Sequence, residues 1–135
     1  MFDDRSPIYR QIAEQIRSEV LSGALEEGEQ VMSTTQYATT FRINPATAAK
    51  AFAELVDEGV LHKRRGLGMF VATGAREQLR AQRRERFFDE VVDPMVDEAL
   101  AVGVPVEAVI ERIRSRAAAR HGSSGTRADD EGATR

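Results

Sequence analysis

Apolar residues recur every four positions near the start of the chain, at Ile8, Ile12, Ile16 and Val20, with polar residues between them. This spacing predicts an amphipathic helix with one core-facing stripe. Ser6 serves as its N-cap, Pro7 sits in its first turn and Gly23 ends it. Leu25-Glu26-Glu27-Gly28 reads as a turn and Gln30-Val31-Met32 as one short strand. Ser33-Thr34-Thr35-Gln36 has the spacing of a capping box, which opens a short second helix with Tyr37, Ala38 and Phe41 facing inward. Arg42-Ile43 turns the chain into a third helix, capped by Asn44 with Pro45 at its first position. Ala48, Ala51, Phe52 and Leu55 give this helix a core face, and Thr47, Lys50 and Glu54 fall opposite. Gly59 fits the left-handed position just past its end. Val60-Leu61 and Met69-Phe70-Val71 then flank a polar stretch from His62 to Gly68, predicting a hairpin whose tip is basic.

The pattern changes after Ala72-Thr73-Gly74-Ala75, a small-residue linker. A long helix follows. Its first part, Arg76 to Arg86, is basic, with Leu79 as its main apolar residue. Its second part carries Phe88, Val91, Val92, Met95, Val96, Ala99 and Leu100 at three-and-four spacing. Pro94 falls inside this pattern, so the helix is expected to kink or split there. Pro105 begins a last helix with Val106, Val109, Ile110 and Ile113 on one face. From about His121 the apolar residues give way to Gly, Ser, Thr, Asp and Arg, the composition of a disordered tail. The expected fold is mainly α with a small β-hairpin (α+β). A winged helix-turn-helix occupies residues 1–75, a helical dimerisation extension 76–119 and the tail 120–135. Two helices of this length bury little apolar surface alone. Phe88, Val91, Val92, Met95, Val96, Leu100, Val109, Ile110 and Ile113 are therefore expected at an interface, and a second copy is the favoured partner.

Composition narrows the function. The 135-residue chain has no cysteine, which excludes disulfides and thiolate metal sites and suits a reducing cytoplasm. Its two histidines, His62 and His121, lie far apart, so no metal or other cofactor is expected. No run of about 18 apolar residues offers a membrane span, and Met1-Phe2-Asp3-Asp4 lacks the plan of a signal peptide. No paired His and Cys, no triad and no phosphate-cradling glycine loop points to an enzyme. The net charge is −3, but phosphate binding depends on local patches. The acids gather at Asp3, Asp4, Glu26, Glu27 and Glu29, and again from Asp89 to Glu98. The bases gather at Lys63-Arg64-Arg65 and from Arg76 to Arg86.

The third helix and the hairpin carry the candidate chemistry. An α-helix fits the major groove of B-DNA, where each base pair shows its own donors, acceptors and methyl groups. Short polar side chains near the start of such a helix do the reading, and Asn44, Thr47 and Lys50 qualify. Ser33, Thr34 and Thr35, with the amides that open the second helix, suit a phosphate. Lys63, Arg64 and Arg65 suit phosphates or the minor groove, and Gly66 lets backbones approach closely. Each residue also has a bland reading: Asn44 as a cap only, Thr47 as a solvated position, the basic triplet as an ordinary exposed hairpin. Arg80, Arg83, Arg84 and Arg86 read either as a face solvated or paired with acids, or as contacts to DNA flanks.

The order of these residues resembles the GntR family of bacterial transcription regulators. The resemblance runs from Pro7-Ile8-Tyr9-Arg10-Gln11-Ile12 through Gly23-Ala24-Leu25, Ser33 to Ala38, Thr47 to Ala51, Leu55 and Gly59 to Gly66-Leu67-Gly68-Met69-Phe70-Val71. The short extension and the Asn44-Pro45-Ala46-Thr47 turn are similar to the YtrA-type subfamily. The resemblance implies a dimeric repressor on an inverted repeat in its own operon's promoter, often beside transporter genes. It places Ser33, Thr35, Asn44, Thr47, Lys50 and Gly66 at DNA-facing positions. Met32 stands where the family usually has proline, and Thr35 where it usually has arginine or asparagine. Pro45 and Ala49 stand where other branches often have arginine. Lys50 and the wing are thereby expected to take a larger share of recognition. The alternative is a winged-helix protein-interaction module that does not bind DNA. A small-molecule effector is left open, between wing domain and extension or near Phe87 and Phe88, and nothing in the sequence identifies one.

Overall fold

The structure is a computed structural model that describes residues 6–132, with side chains described through residue 122. The chain divides into two units, Met1–Glu85 and Arg86–Arg135.

In the first unit, α1 (Ile8–Ser22), α2 (Thr34–Phe41) and α3 (Pro45–Asp57) precede strands β1 (Leu61–Arg64) and β2 (Gly68–Val71), and α4 (Ala75–Phe87) begins after them. Ile12, Ala13, Ile16 and Val20 of α1 are buried against Ala48, Ala51, Phe52 and Leu55 of α3 in one apolar core, with Val60, Leu61, Val71, Ala75 and Leu79 joining it. The core face predicted for α3 is thus the one it buries. The α1 stripe starts one turn later than its spacing implies, because Ile8 is 44% exposed. The cap also differs: Pro7, not Ser6, is the N-cap of α1. The Pro7 carbonyl accepts from the Arg10 and Gln11 amides, and its own missing N–H is no loss at a helix start.

Both predicted caps of the middle helices form. The Gln36 amide donates to Ser33 Oγ and the Ser33 amide to Gln36 Oε1, each at 3.1 Å. The Ala46 amide donates to Asn44 Oδ1 at 2.8 Å. Between α2 and α3 the corner turns at Arg42, whose φ of 53° is the one left-handed non-glycine among the described residues. The far end of α3 is tied to α1 by charge. Arg17 Nε donates to Glu58 Oε2 at 2.9 Å, and its second nitrogen reaches the other Glu58 oxygen. Glu14 and Glu54 complete the cluster at 3.2 and 3.4 Å. The hydrogen bonds to Glu58 raise the guanidinium pKa further above its usual value.

The hairpin pairs Leu61 with Val71, His62 with Phe70, Lys63 with Met69 and Arg64 with Gly68. The strand expected at Gln30-Val31-Met32 shrinks to a single bridge between Gln30 and Phe70. The Val31 amide still donates to the Met69 carbonyl, but the chain then leaves the sheet for the Ser33 cap.

In the second unit, the helical winding changes just ahead of Pro94 without a gap. Residues Phe88–Val92 wind as a π-turn before α5 (Asp93–Val102), and α6 runs Val106–Gly132. The wider turn accommodates a ring that clashes with the carbonyl four residues back and lacks an amide to bond it. Ala99 is buried and Val92, Val109 and Ile110 are half-buried, whereas Phe88, Val91, Leu100 and Ile113 are exposed in the single chain. The helix α6 runs on to Gly132, within the stretch read from composition as a tail. Ala117-Ala118-Ala119 carry the helix into this stretch, and each residue added to a formed helix gains a hydrogen bond without a new nucleation cost. The last residues of the expected tail, 133–135, lie outside the described residues.

Two outcomes follow for stability. Arg42→Gly removes the steric cost of a left-handed side chain and is expected to raise unfolding free energy by about 1 kcal/mol in urea denaturation. Burial, with a smaller contribution from Glu19, raises the Tyr37 phenol pKa. The unfolded phenol, at about 10, then loses its proton before the folded one. Stability from this group is therefore complete below about pH 10 and lost as pH rises through the folded value. The alkaline decline in unfolding free energy is expected to be shallower in Tyr37→Phe.

Candidate nucleic-acid interface

The face that α3 turns away from the core begins at its cap. Asn44 is exposed, Thr47 half-exposed and Lys50 exposed. The Asn44 oxygen already accepts the Ala46 amide, so the side chain presents its NH2 more freely than its oxygen. A two-bond contact to adenine uses both atoms, and the cap competes with it. Lys50 is not a loose cation. Its Nζ lies 4.1 Å from the centre of the Tyr9 ring on α1, a cation–π distance. Arg10 flanks the same ring, its Nε donating to the Tyr9 hydroxyl at 3.2 Å. Ser33 is committed to its capping box, while Thr34 is half-exposed and Thr35 exposed at the start of α2.

The hairpin divides its cations. Only Arg65, Gly66 and Leu67 form the turn, while Lys63 and Arg64 lie within β1. The predicted basic tip is therefore reduced to Arg65 by strand pairing that extends to Arg64. Because side chains alternate along a strand, Lys63 shares a face with Leu61 and Met69, and Arg64 shares the other with His62 and Phe70. The Arg64 guanidinium sits 4.7 Å from the Phe70 ring, and the His62 ring stacks on that ring at 6.0 Å. Lys63 and Arg64 thus leave the hairpin on opposite faces, with Arg65 at the turn between the strands. Leu67 is 64% exposed at the tip. Gln30 steadies that tip, donating from Nε2 to the Leu67 carbonyl at 2.8 Å.

The basic run of α4 is largely engaged with protein. Arg76 Nε donates to the Leu21 carbonyl at 3.1 Å, Arg83 pairs with Glu14, and Arg84 pairs with Glu77 at 2.8 Å. In the second unit Arg86 lies 3.9 Å from Glu90. Among the described residues no cluster of His, Cys, Asp or Glu has the geometry to hold a metal ion. No helix among them is long and apolar enough to cross a membrane.

This geometry agrees with the comparisons. Residues 8–71 match the profile of the bacterial regulatory proteins of the gntR family. The HTH-type transcriptional repressor YtrA of Bacillus subtilis is 32% identical over 114 residues, spanning 83% of this chain and 87% of the relative. The chain belongs to the GntR family. Its fold is shared by a GntR family transcriptional regulator from Listeria monocytogenes, with a TM-score of 0.67 and 28% identity over 84% of this chain and 98% of that one. The solved structure of AraR(DBD) in complex with operator ORX1 matches 53% of this chain and 93% of its own, with a TM-score of 0.50 and 27% identity. This GntR-family chain is a DNA-binding transcriptional regulator with a winged helix, and not an enzyme.

No local pattern in the sequence marks Tyr9, Arg10 or Gln30 as part of this surface. Tyr9 lies off the α1 stripe, and no one-dimensional signal links it to Lys50. The apolar pattern assigns Gln30 only to a short strand.

Gly68 has a φ of 124°, and a Cβ there would stand 2.8 Å from Gln30 Nε2. Gly68→Ala is expected to displace Gln30 from the Leu67 carbonyl and lower stability by about 1–3 kcal/mol. Movement of the Gln30 side-chain NH2 resonances to the position of a solvated amide checks the displacement.

Proposed function

We propose that this GntR-family regulator is a cytoplasmic, dimeric repressor. It binds an inverted-repeat operator in its own operon's promoter, and that operon includes transporter genes. The observation that carries the proposal is the two-sidedness of α3. Its apolar face is consumed by the core it shares with α1 and α2, which leaves Thr47 and Lys50 outward on a helix that opens at the polar cap Asn44. In this reading Thr47 meets a base, as does Lys50, positioned by Tyr9. Thr34, Thr35 and the amides opening α2 approach a phosphate, as does Arg65 at the wing turn. Gly66 permits the wing backbone to lie close to the duplex. Ser33 and Asn44 act first as caps that aim their helices. The partnered arginines of α4 are structural.

The operator's symmetry follows from pairing. Phe88, Leu100 and Ile113, respectively 66%, 65% and 54% exposed, give the second unit an apolar face that a second copy covers. A two-fold dimer then presents two α3 helices to half-sites about 10 base pairs, or a multiple, apart.

Selection of bound duplexes from a random pool is expected to return an inverted repeat, with affinity falling steeply as salt rises. Thr47→Ala is expected to relax preference at one position of each half-site, at a cost of about 1–3 kcal/mol. Arg65→Ala is expected to weaken all sequences alike and reduce the salt slope by about 1. If Lys50→Ala and Arg65→Ala both leave affinity unchanged, the proposed surface is wrong. Leu100→Glu is expected to give a monomer in sedimentation; a dimer that persists places the contact elsewhere.

A further inference from the structure

Lys50, on the outward face of α3, forms no ion pair among the described residues. An acid stands one turn beyond it on the same helix, Glu54, at a spacing that lets two side chains meet. Glu54 is taken by Arg17 at 3.4 Å, and Glu14 on α1 is shared between Arg17 and Arg83. Lys50 turns instead to the ring of Tyr9, with Nζ 4.1 Å from its centre. An aromatic face attracts an ammonium through its quadrupole and leaves N–H donors for a further partner. The ring is itself held. Tyr9 is half-buried and packs against the apolar core, and its hydroxyl accepts from Arg10 Nε at 3.2 Å. Arg10 also forms no ion pair among the described residues, so no carboxylate paired within this corner cancels its charge.

We infer that Tyr9 determines specificity through Lys50, and that the base it selects in each half-site is guanine. This rests on the operator reading above. A lysine is a point charge on a flexible four-carbon stem; left loose, it follows phosphates and carries no sequence information. Seated on a fixed ring, the ammonium is delivered to one place. Thr47 lies one turn earlier on α3, at i,i+3 spacing, so the seat sets Lys50 beside the other side chain of the reading face. Guanine presents two acceptors, N7 and O6, on its major-groove edge, and an ammonium donates to both. Adenine replaces the second acceptor with an amino group, which repels the same donor. Lys50 makes the contact and Tyr9 positions it. The ring thereby turns a general attraction to DNA into a preference at one base pair.

The test selects bound duplexes from a random pool with the full-length parent protein and with Tyr9→Phe, Tyr9→Leu and Lys50→Gln. The parent is expected to prefer guanine at one position of each half-site by about 5-fold or more. Tyr9→Phe keeps the ring and is expected to keep that preference, although it loses the bond from Arg10. Tyr9→Leu is expected to lower the preference there by about 2- to 5-fold, with other positions and the salt slope unchanged. Lys50→Gln changes only an exposed side chain and is expected to move the preference to adenine at the same position; it serves if Tyr9→Leu folds poorly. In the free protein the ring is expected to shift the Lys50 side-chain proton resonances in the parent and in Tyr9→Phe but not in Tyr9→Leu. The inference is overturned if Tyr9→Leu retains the parent's preference, if it binds more tightly because the ring had withheld Lys50, or if Lys50→Gln weakens all sequences alike. A pool that enriches nothing overturns the operator reading and the inference with it. An enriched operator indifferent to Tyr9 overturns the inference alone.

Discussion

Everything in the first unit depends on the close contact of α1 with α3. Ala48 and Ala51 are completely buried, and so is Ala13 across from them. Small side chains on both helices allow the backbones to come near each other, and the larger Ile12, Ile16, Phe52 and Leu55 then fill the flanks. Once that face of α3 is spent, the rotation of the helix about its axis is fixed. What remains outward is determined by the 3.6-residue period, not by any separate device. Arg17 fixes the remaining freedom, sliding along the axis, by gripping Glu58 at the end of α3 with two nitrogens. A fork against a carboxylate is sensitive to register in a way that apolar packing is not.

The wing is held by different means. It is a two-stranded hairpin, too small to be stable alone. Leu61 and Val71 sink into the core, and the segment around Gln30 adds one bridge and a side-chain bond to the turn. The domain therefore couples a rigid helical reader to an appendage steadied by few contacts.

Much of this was legible in the sequence because it is local. The capping box at Ser33, the cap at Asn44, the core face of α3 and the altered winding ahead of Pro94 each depend on residues within a turn or two. What escaped is non-local or alternates too finely. The split of Lys63 and Arg64 onto opposite faces depends on how far pairing extends along β1, which composition does not reveal. The cation–π seat of Lys50 joins residues from two helices whose rotation only packing decides. The pair of Arg83 with Glu14 joins α4 to α1 and is non-local in the same way, whereas Arg84 pairs with Glu77 inside α4.

The cap at Asn44 has a consequence for how such a surface diversifies. Its side chain holds the first turn of α3 through the Ala46 amide. Few residue types do that work, chiefly Ser, Thr, Asp and Asn. Any recognition role at position 44 is inherited together with a structural one, so few replacements satisfy both. Thr47 caps nothing, and its side chain is free to be exchanged without loosening the helix. Related chains that drift toward new binding preferences therefore have an open route at position 47 and a narrow one at position 44. A library built to retarget this fold gains most by randomising the former and leaving the latter to the small set of capping residues.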